Sequence, residues 1–233
     1  MTGTLFLIPT LLNYDAPENI PQAVTDIINS TENYVVENEK SARHFLKIAG
    51  IKKSFDSLNF QVLDEHTTPE NISELLKPLF EGKDIGLLSE AGLPAVADPG
   101  SDLVLLAHDR NITVKPVGGM SSILMALMAS GLNGQQFTFH GYLPKEQERR
   151  ISKIKMLEQQ LMKDHYTQIF IETPYRNSHL LKDILKECKP ETLLCIAASI
   201  TGKDEMIKTK SISEWKKSVP DIHKVPAVFL LGR

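Results

Sequence analysis

Two loop-rich stretches hold most of the chemistry that can be read from this chain. GLLSEAGLPAVADPGSDLVLLA, Gly86 to Ala107, and PVGGMSSILMALMASGL, Pro116 to Leu132, each pass from an apolar strand into a Gly/Pro/Ser-rich loop and then into a helix. In an α/β sheet, loops at the carboxyl ends of strands are where ligands bind. Gly92, Gly100, Gly118 and Gly119 allow tight turns and close approach of the backbone to a ligand. Asp98 followed by Pro99 fits a helix N-cap with proline at the first helical position. Either loop alone reads equally well as an ordinary strand-to-helix turn. Together, and short of polar anchors, they suggest a shared pocket for a small, largely apolar or adenine-bearing ligand.

The elements that must position these loops alternate between strand and helix, which predicts an α/β protein with mostly parallel sheets. Candidate strands are Leu5–Ile8, Tyr34–Val36, Gly86–Leu88 and Thr113–Pro116, then Phe137–Phe139, Gln168–Ile171, Leu193–Ala197 and Ala227–Leu231. Ala42, Phe45, Leu46 and Ala49 keep helical spacing, as do Ile72, Leu75, Leu76 and Leu79, with Thr68-Pro69 as a start signal for the second stripe. Leu180, Leu181, Ile184 and Leu185 make a third stripe. No internal repeat or low-complexity tract is visible, and Pro116-Val117-Gly118-Gly119 is the best hinge candidate.

Length and composition suit a soluble globular protein. The 233 residues can form one large domain or two ordinary ones, with 42% hydrophobic and 24% charged residues. No apolar run approaches the roughly 20 residues of a membrane span, so no membrane association is expected. The amino terminus, MTGTLFLIPTLLNYD, has no basic region ahead of its short apolar run, so it reads as a buried first strand and not as a signal peptide. Cys188 and Cys195 provide neither a zinc cluster nor a disulfide framework, so no metal is expected and a reducing cytoplasm is the expected location. A net charge of −3 argues against a protein that coats nucleic acid. Two basic clusters stand out: Lys145, Arg149, Arg150, Lys153 and Lys155, and Lys203, Lys208, Lys210, Lys216 and Lys217. Acidic residues interleave with both, so they read first as solvated faces, with a local nucleic-acid patch as the alternative.

The same loops carry a family resemblance. SEAGLPAVADPG is similar to S-D-A-G-T-P-x-I-S-D-P-G, and PVGGMSSILMALMASGL to P-G-P-S-A-x-x-x-A-L-x-x-S-G-L. FTFHGYLPKE from Phe137, IETPYR from Ile171 and ENEKSARHFLKIAGI from Glu37 resemble F-x-F-x-G-F-L-P, E-S/T-P-H-R and E-D-T-R-x-x-x-x-L-L-x-x-x-G-I. On these segments the chain resembles the tetrapyrrole methylase superfamily, and within it the small-subunit rRNA cytidine 2′-O-methyltransferases. The resemblance implies two α/β domains, 1–116 and 117–233, with S-adenosylmethionine held in the cleft between them, and a homodimer. It implies cofactor contacts from Pro9 after the first strand, from Ser89, Gly92, Leu93, Pro94 and Val96 in the second loop, and from Ser121 and Ser122 in the third. A hydroxyl and backbone N–H groups at that helix start suit a carboxylate, although plain helix capping explains both serines too. Thr173, Ala197, Ala198 and Pro226 follow by the same resemblance, with nothing in their local spacing that demands a ligand.

On the acceptor side, a ribose hydroxyl is a poor nucleophile and needs a group to orient it or take its proton. Glu37, Glu90 and Glu172 are carboxylates at motif positions, with His44 and His140 as further candidates, and Glu37 and Glu90 are expected to serve the substrate. The alternatives are that Glu37 caps a helix or pairs with Lys40 or Arg43, that Glu172 pairs internally with Arg176, and that His140 is simply packed. The chain departs from the rRNA branch in three places. P-I-G-N-L-x-D becomes PTLLNYDAPENIP, E-D-T-R becomes Glu37-Asn38-Glu39-Lys40, and A-R-E-x-T-K becomes Ala197-Ala198-Ser199-Ile200-Thr201-Gly202. Cofactor loops are thus kept better than polar substrate groups. The leading expectation is an S-adenosylmethionine-dependent methyltransferase acting on rRNA ribose in the small ribosomal subunit. The alternatives are methylation of a tetrapyrrole or another small acceptor, and a non-catalytic cofactor-binding homologue. A Rossmann dehydrogenase is disfavoured, because no G-x-G-x-x-G follows LFLI.

Overall fold

Short runs such as TLFLI and IGLL are buried on both faces, the mark of strands in a parallel sheet covered by helices on each side. In the computed structural model, which describes residues 2–64 and 66–233, the chain divides into two compact units, Met1–Ser121 and Ser122–Arg233. The first unit holds β1 (Thr4–Ile8), α1 (Gln22–Ser30), β2 (Asn33–Val36), α2 (Glu39–Ile48) and β3 (Asn59–Val62). It continues through α3 (Pro69–Leu75), α4 (Lys77–Phe80), β4 (Ile85–Leu88), α5 (Gly100–Asp109) and β5 (Thr113–Pro116). The strands lie in the order β3-β2-β4-β1-β5 with every pair parallel.

Alternating strand residues feed two cores. Tyr34, Val36, Ile8 and Leu88 pack with Val24 and Ile28 of α1 and Phe45 and Leu46 of α2. Val35, Leu5, Ile85 and Leu87 pack with Ile72 and Leu75 of α3, Leu79 of α4 and Leu103 and Ala107 of α5. The chain therefore leaves β1 over one face of the sheet and leaves the adjacent β4 over the other. Such a reversal between neighbouring strands opens a crevice at their carboxyl ends.

Two expectations need correction here. Ile72, Leu75, Leu76 and Leu79 are all buried as expected, but on two short helices. Pro78 has no N–H to extend the first helix, so the chain breaks at Leu76 and starts again. Asp98 is not the N-cap of α5. The helix begins at Gly100 with Pro99 at the cap position, and Asp98 lies one residue further out.

The second unit contains α6 (Ser122–Ser130), β6 (Phe137–Tyr142), α7 (Gln147–Asp164), β7 (Thr167–Ile171) and α8 (Asn177–Glu187). It ends with β8 (Leu193–Ala198), β9 (Met206–Ser211), α9 (Ile212–Trp215) and β10 (Ala227–Gly232). Its sheet runs β6-β7-β10-β8-β9, and only β6 and β7 are parallel. The expectation of mostly parallel sheets thus holds for the first unit only. No helix separates β8 from β9, so the two strands pair antiparallel through a short connection. Leu157 and Leu161 of α7, Leu180 and Ile184 of α8, Trp215 of α9 and Phe170 and Phe229 of the sheet form its core.

The first basic cluster does not lie wholly on a solvated face. Arg150 is buried between α7 and α8, where it donates from Nε and Nη2 to Asp183 Oδ2 at 2.8 and 2.7 Å. Lys155 pairs with Glu187 at 2.9 Å. Cys188 and Cys195 are free and buried, and burial pushes the Cys188 thiol up to about 12. Among the described residues no helix is long and apolar enough to cross a membrane.

Candidate functional site

The crevice at the carboxyl ends of β1 and β4 is where the first-unit loops meet. Pro9 and Thr10, buried at the end of β1, face the loop that follows β4, and Thr10 donates its backbone N–H to the Gly92 carbonyl at 2.9 Å. Gly92 has φ +77°, and a Cβ there would stand 3.0 Å from Leu12 Cδ2 and 3.4 Å from the Met120 carbonyl. Gly119 is more tightly held, since a Cβ would fall 2.2 Å from Pro9 Cγ. By contrast, a Cβ on Gly118 would meet nothing within 4 Å. The structure therefore brings Pro9, Gly92 and the segment around Gly119 together. Of the candidate residues beside them, Pro94 is buried, Ser89 and Leu93 are half-buried and Val96 is exposed. Ser89 Oγ donates to the Gly92 carbonyl at 3.3 Å.

Thr10 was missed by sequence reasoning. Its Oγ1 is buried with no hydrogen-bond partner among the described residues. The signal for it was only its place directly after Pro9.

The loop after β4 is held in an unfavourable backbone conformation. Ala95 and Ala97 have φ of 63° and 65°, a left-handed region that costs an L-residue roughly 1–2 kcal/mol. Asp98 supports it by accepting from Ala95 N–H at 2.9 and 3.0 Å through its two oxygens and from Gly100 N–H at 2.8 Å through Oδ1. Burial raises the Asp98 carboxyl above its ordinary range, with these N–H groups opposing the shift. Strain of this kind clusters at ligand sites.

Glu37 and Glu90, far apart in sequence, are neighbours. Glu37 Oε1 accepts from Glu90 N–H at 3.1 Å, and Ser41 Oγ of α2 donates to Glu90 Oε1. Glu37 does not pair with Lys40 or Arg43. Asn38 caps α2 by accepting from Lys40 and Ser41 N–H, and Arg43 pairs with Glu39 at 2.7 Å. Burial raises the Glu37 carboxyl, the Glu90 N–H opposes this, and the charges of Asp98 and Glu90 add to it. Tyr14 joins the group, its phenol raised by burial and by Glu90, and its ring lies 4.9 Å from that of His44. A half-buried carboxylate of raised pKa beside a second carboxylate accepts a proton more readily than an ordinary one, and the pair can attract a cation.

In the second unit, Glu172 forms the internal pair with Arg176 and also accepts Thr173 N–H at 2.7 Å. Arg176 Nε donates to Thr173 Oγ1 at 3.2 Å, so the Thr173 hydroxyl is engaged in holding the loop. Ala197 and Ala198, at the end of β8, are buried opposite Val228 and Ala227. Ser199 continues from them with φ 50° and donates to the Pro226 carbonyl at 2.9 Å. Thr173, Ala198 and Pro226 therefore lie along one end of the second sheet. Ser121 precedes α6 and Ser122 begins it. His140 is packed, with Nε2 2.7 Å from Gln168 Oε1, and burial lowers its pKa.

A family model described as tetrapyrrole (corrin/porphyrin) methylases matches residues 14–215. The ribosomal RNA small subunit methyltransferase I of Pasteurella multocida (strain Pm70) is 29% identical over 234 residues, covering 99% of this chain and 79% of that protein. The protein of the same name from Streptococcus pyogenes serotype M3 (strain ATCC BAA-595 / MGAS315) is 32% identical, covering 91% of this chain and 70% of its own. Among solved structures, the methyltransferase CobJ superposes with a TM-score of 0.67 at 17% identity, covering 100% of this chain and 95% of that one. The cobalt precorrin-4 methyltransferase CbiF gives 0.64 at 16% identity, covering 98% and 94%. At these identities the structural likeness shows the fold.

Proposed function

Because the chain belongs to the tetrapyrrole (corrin/porphyrin) methylase family, we propose that this methyltransferase uses S-adenosylmethionine to methylate rRNA of the small ribosomal subunit, at a ribose 2′-hydroxyl. The acceptor follows the names of its relatives. The observation that carries the cofactor is the convergence of the loops after β1, β4 and β5, closed so tightly that Gly119 has no room for a Cβ against Pro9. These loops, residues 9–13, 89–97 and 117–122, hold no lysine or arginine. Such a lining suits a cationic donor, and the unpartnered Thr10 Oγ1 offers it a polar contact.

S-adenosylmethionine would supply an electrophilic methyl group on its sulfonium. The chain's part is to hold donor and acceptor in line and keep water away. Pro9, Ser89, Gly92, Leu93, Pro94, Val96 and Ser121 are proposed as first-unit contacts, and Ser122, Thr173, Ala197, Ala198 and Pro226 as contacts from the second. The last five are supported by resemblance, and Thr173, Ala198 and Pro226 also by their shared place along one end of the second sheet. Glu37 and Glu90 are proposed on the acceptor side. Glu37, its pKa raised by burial, would take the proton that the hydroxyl loses.

A cytoplasmic location and a homodimer complete the proposal. The dimer is supported by α6, which leaves Leu124 and Met128 exposed at 53% and 80%. Incubating the protein with isolated small ribosomal subunits and methyl-labelled S-adenosylmethionine tests the whole reading. Label is expected in the rRNA, in a nucleotide that resists alkaline cleavage. Label absent from the rRNA of subunits isolated from a deletion strain would reject the acceptor.

A further inference from the structure

The two units differ sharply in charge. Residues 1–121 carry nine Lys and Arg against seventeen Asp and Glu, a net of −8, whereas residues 122–233 carry seventeen against twelve, a net of +5. The overall −3 therefore conceals a basic second unit. A polyanion would be repelled by the first unit and attracted by the second.

Within the second unit the positive charge is not evenly available. On α7, Arg150 is buried against Asp183 and Lys155 is paired with Glu187. The other cluster lies on β9 and just beyond α9. Lys208 and Lys210 are two residues apart and so project to the same side of β9, the outermost strand of the sheet. Lys216 and Lys217 follow α9 and are exposed. None of the four takes part in an ion pair among the described residues, and none lies in the first-unit loops.

The stripe is held in place. The Lys210 ammonium sits 4.7 Å over the buried Trp215 ring, and Trp215 Nε1 donates to the Leu194 carbonyl at 2.8 Å. Ser211 and Glu214 form a capping box that fixes the turn from β9 into α9. Glu214 is the one carboxylate between Met206 and Val219; it is engaged first by Ser211 N–H and Oγ at 2.9 and 2.7 Å, and the charges of Lys210 and Lys217 act on it more weakly, without a close ion pair. Lys189 and Glu191, in the turn that bonds α9, offset each other.

Lysines on an edge strand also discourage edge-to-edge pairing, which would explain Lys208 and Lys210 alone. It does not explain Lys216 and Lys217, which lie past the strand. Nor does the opposite edge, β6, follow that rule, for FTFHGY contains no lysine.

We propose that the stripe of Lys208, Lys210, Lys216 and Lys217 is a docking surface for the phosphate backbone of RNA. It rests on the rRNA reading above and places RNA contact outside the loops assigned to the cofactor. Ammonium groups without bidentate forks act as point charges on phosphates, so the contact carries no sequence preference.

The test measures binding of a short labelled single-stranded RNA by fluorescence anisotropy as salt is raised. Four contacts to a single strand give a slope of log K against log salt of about −2.8, a roughly 50-fold loss between about 50 and 200 mM. Replacing all four lysines by glutamine is expected to flatten the slope by that amount and to weaken binding at low salt. Arg149→Gln with Lys153→Gln on α7 is expected to leave the slope unchanged. If the fourfold variant fails to fold, Lys216→Gln with Lys217→Gln is expected to flatten the slope by about 1.4. Unchanged RNA binding in the lysine variants would overturn the docking surface, and so would the absence of salt-dependent binding by the native chain. Cofactor titration and methylation of ribosomal subunits by the same samples keep that failure distinct from a failure of the proposed reaction.

Discussion

Replacing Asp98 by alanine should separate cofactor binding from folding. The carboxylate accepts from Ala95 and Gly100 N–H at 2.8–3.0 Å and thereby holds Ala95 and Ala97 at positive φ. At about 1 kcal/mol each, the two left-handed alanines store about 2 kcal/mol. In Asp98→Ala the loop is free to relax, and binding must then rebuild the strained form. That requirement lowers affinity for S-adenosylmethionine by about 2 kcal/mol, or roughly 30-fold. Stability should fall far less, because the lost hydrogen bonds, about 1.5–3 kcal/mol, are largely offset by the released strain. Calorimetric titration and urea unfolding of the same samples measure both quantities. Asp98→Asn, which keeps one acceptor oxygen, should fall between. Cofactor affinity within about threefold of the native value in Asp98→Ala would refute the argument that this strain prepares the loop.

The remaining predictions concern other parts of the molecule. Glu37 has a raised pKa in the folded chain, so its charged form opposes folding as pH rises above the ordinary value of 4.5. Glu37→Gln should therefore be more stable than the native chain at neutral pH, with the difference closing as pH falls to about 4.5 in urea titrations. The same variant should lose about 100-fold or more in turnover if Glu37 takes the acceptor proton, and unchanged turnover in Glu37→Ala would remove it from the acceptor site. Gly119→Ala forces a Cβ to within 2.2 Å of Pro9 Cγ, which should cost about 1–3 kcal/mol in stability and weaken cofactor binding. Gly118→Ala, with open space around it, is the matched control and should be near neutral. Asp183→Ala strands the buried Arg150 guanidinium and should lower stability by about 3–5 kcal/mol in chemical denaturation. A loss below about 1 kcal/mol would show that Arg150 finds water instead.

How much could be read in advance depended on how local the signal was. The central strands β1 and β4 announce themselves because residues on both faces are covered, so LFLI and IGLL are apolar throughout. β9, MIKTKS, escaped notice because an edge strand with solvated lysines looks like a loop, and β3, NFQV, because it too is an edge and barely buried. The antiparallel character of the second sheet rests on the missing helix between β8 and β9, and the sequence read as uniform alternation. Asp98 and Pro99 looked like a cap and first turn, and the aspartate does accept Gly100 N–H at the helix start, but it also braces Ala95 in the loop and lies one residue outside the cap position, a shift that sequence spacing does not resolve. The pairing of Glu37 with Glu90 depends on the adjacency of β2 and β4, which no local pattern records. Gly92 and Gly119 were legible as glycines, while what each makes room for, Leu12 and Pro9, became visible only in the fold.

Calorimetric titration of the purified protein with S-adenosylmethionine tests the central claim most directly. The convergence of the three first-unit loops predicts binding near the micromolar range, about −8 kcal/mol, that is weakened in Gly119→Ala and kept in Gly118→Ala. No measurable binding by a folded native sample would contradict the account.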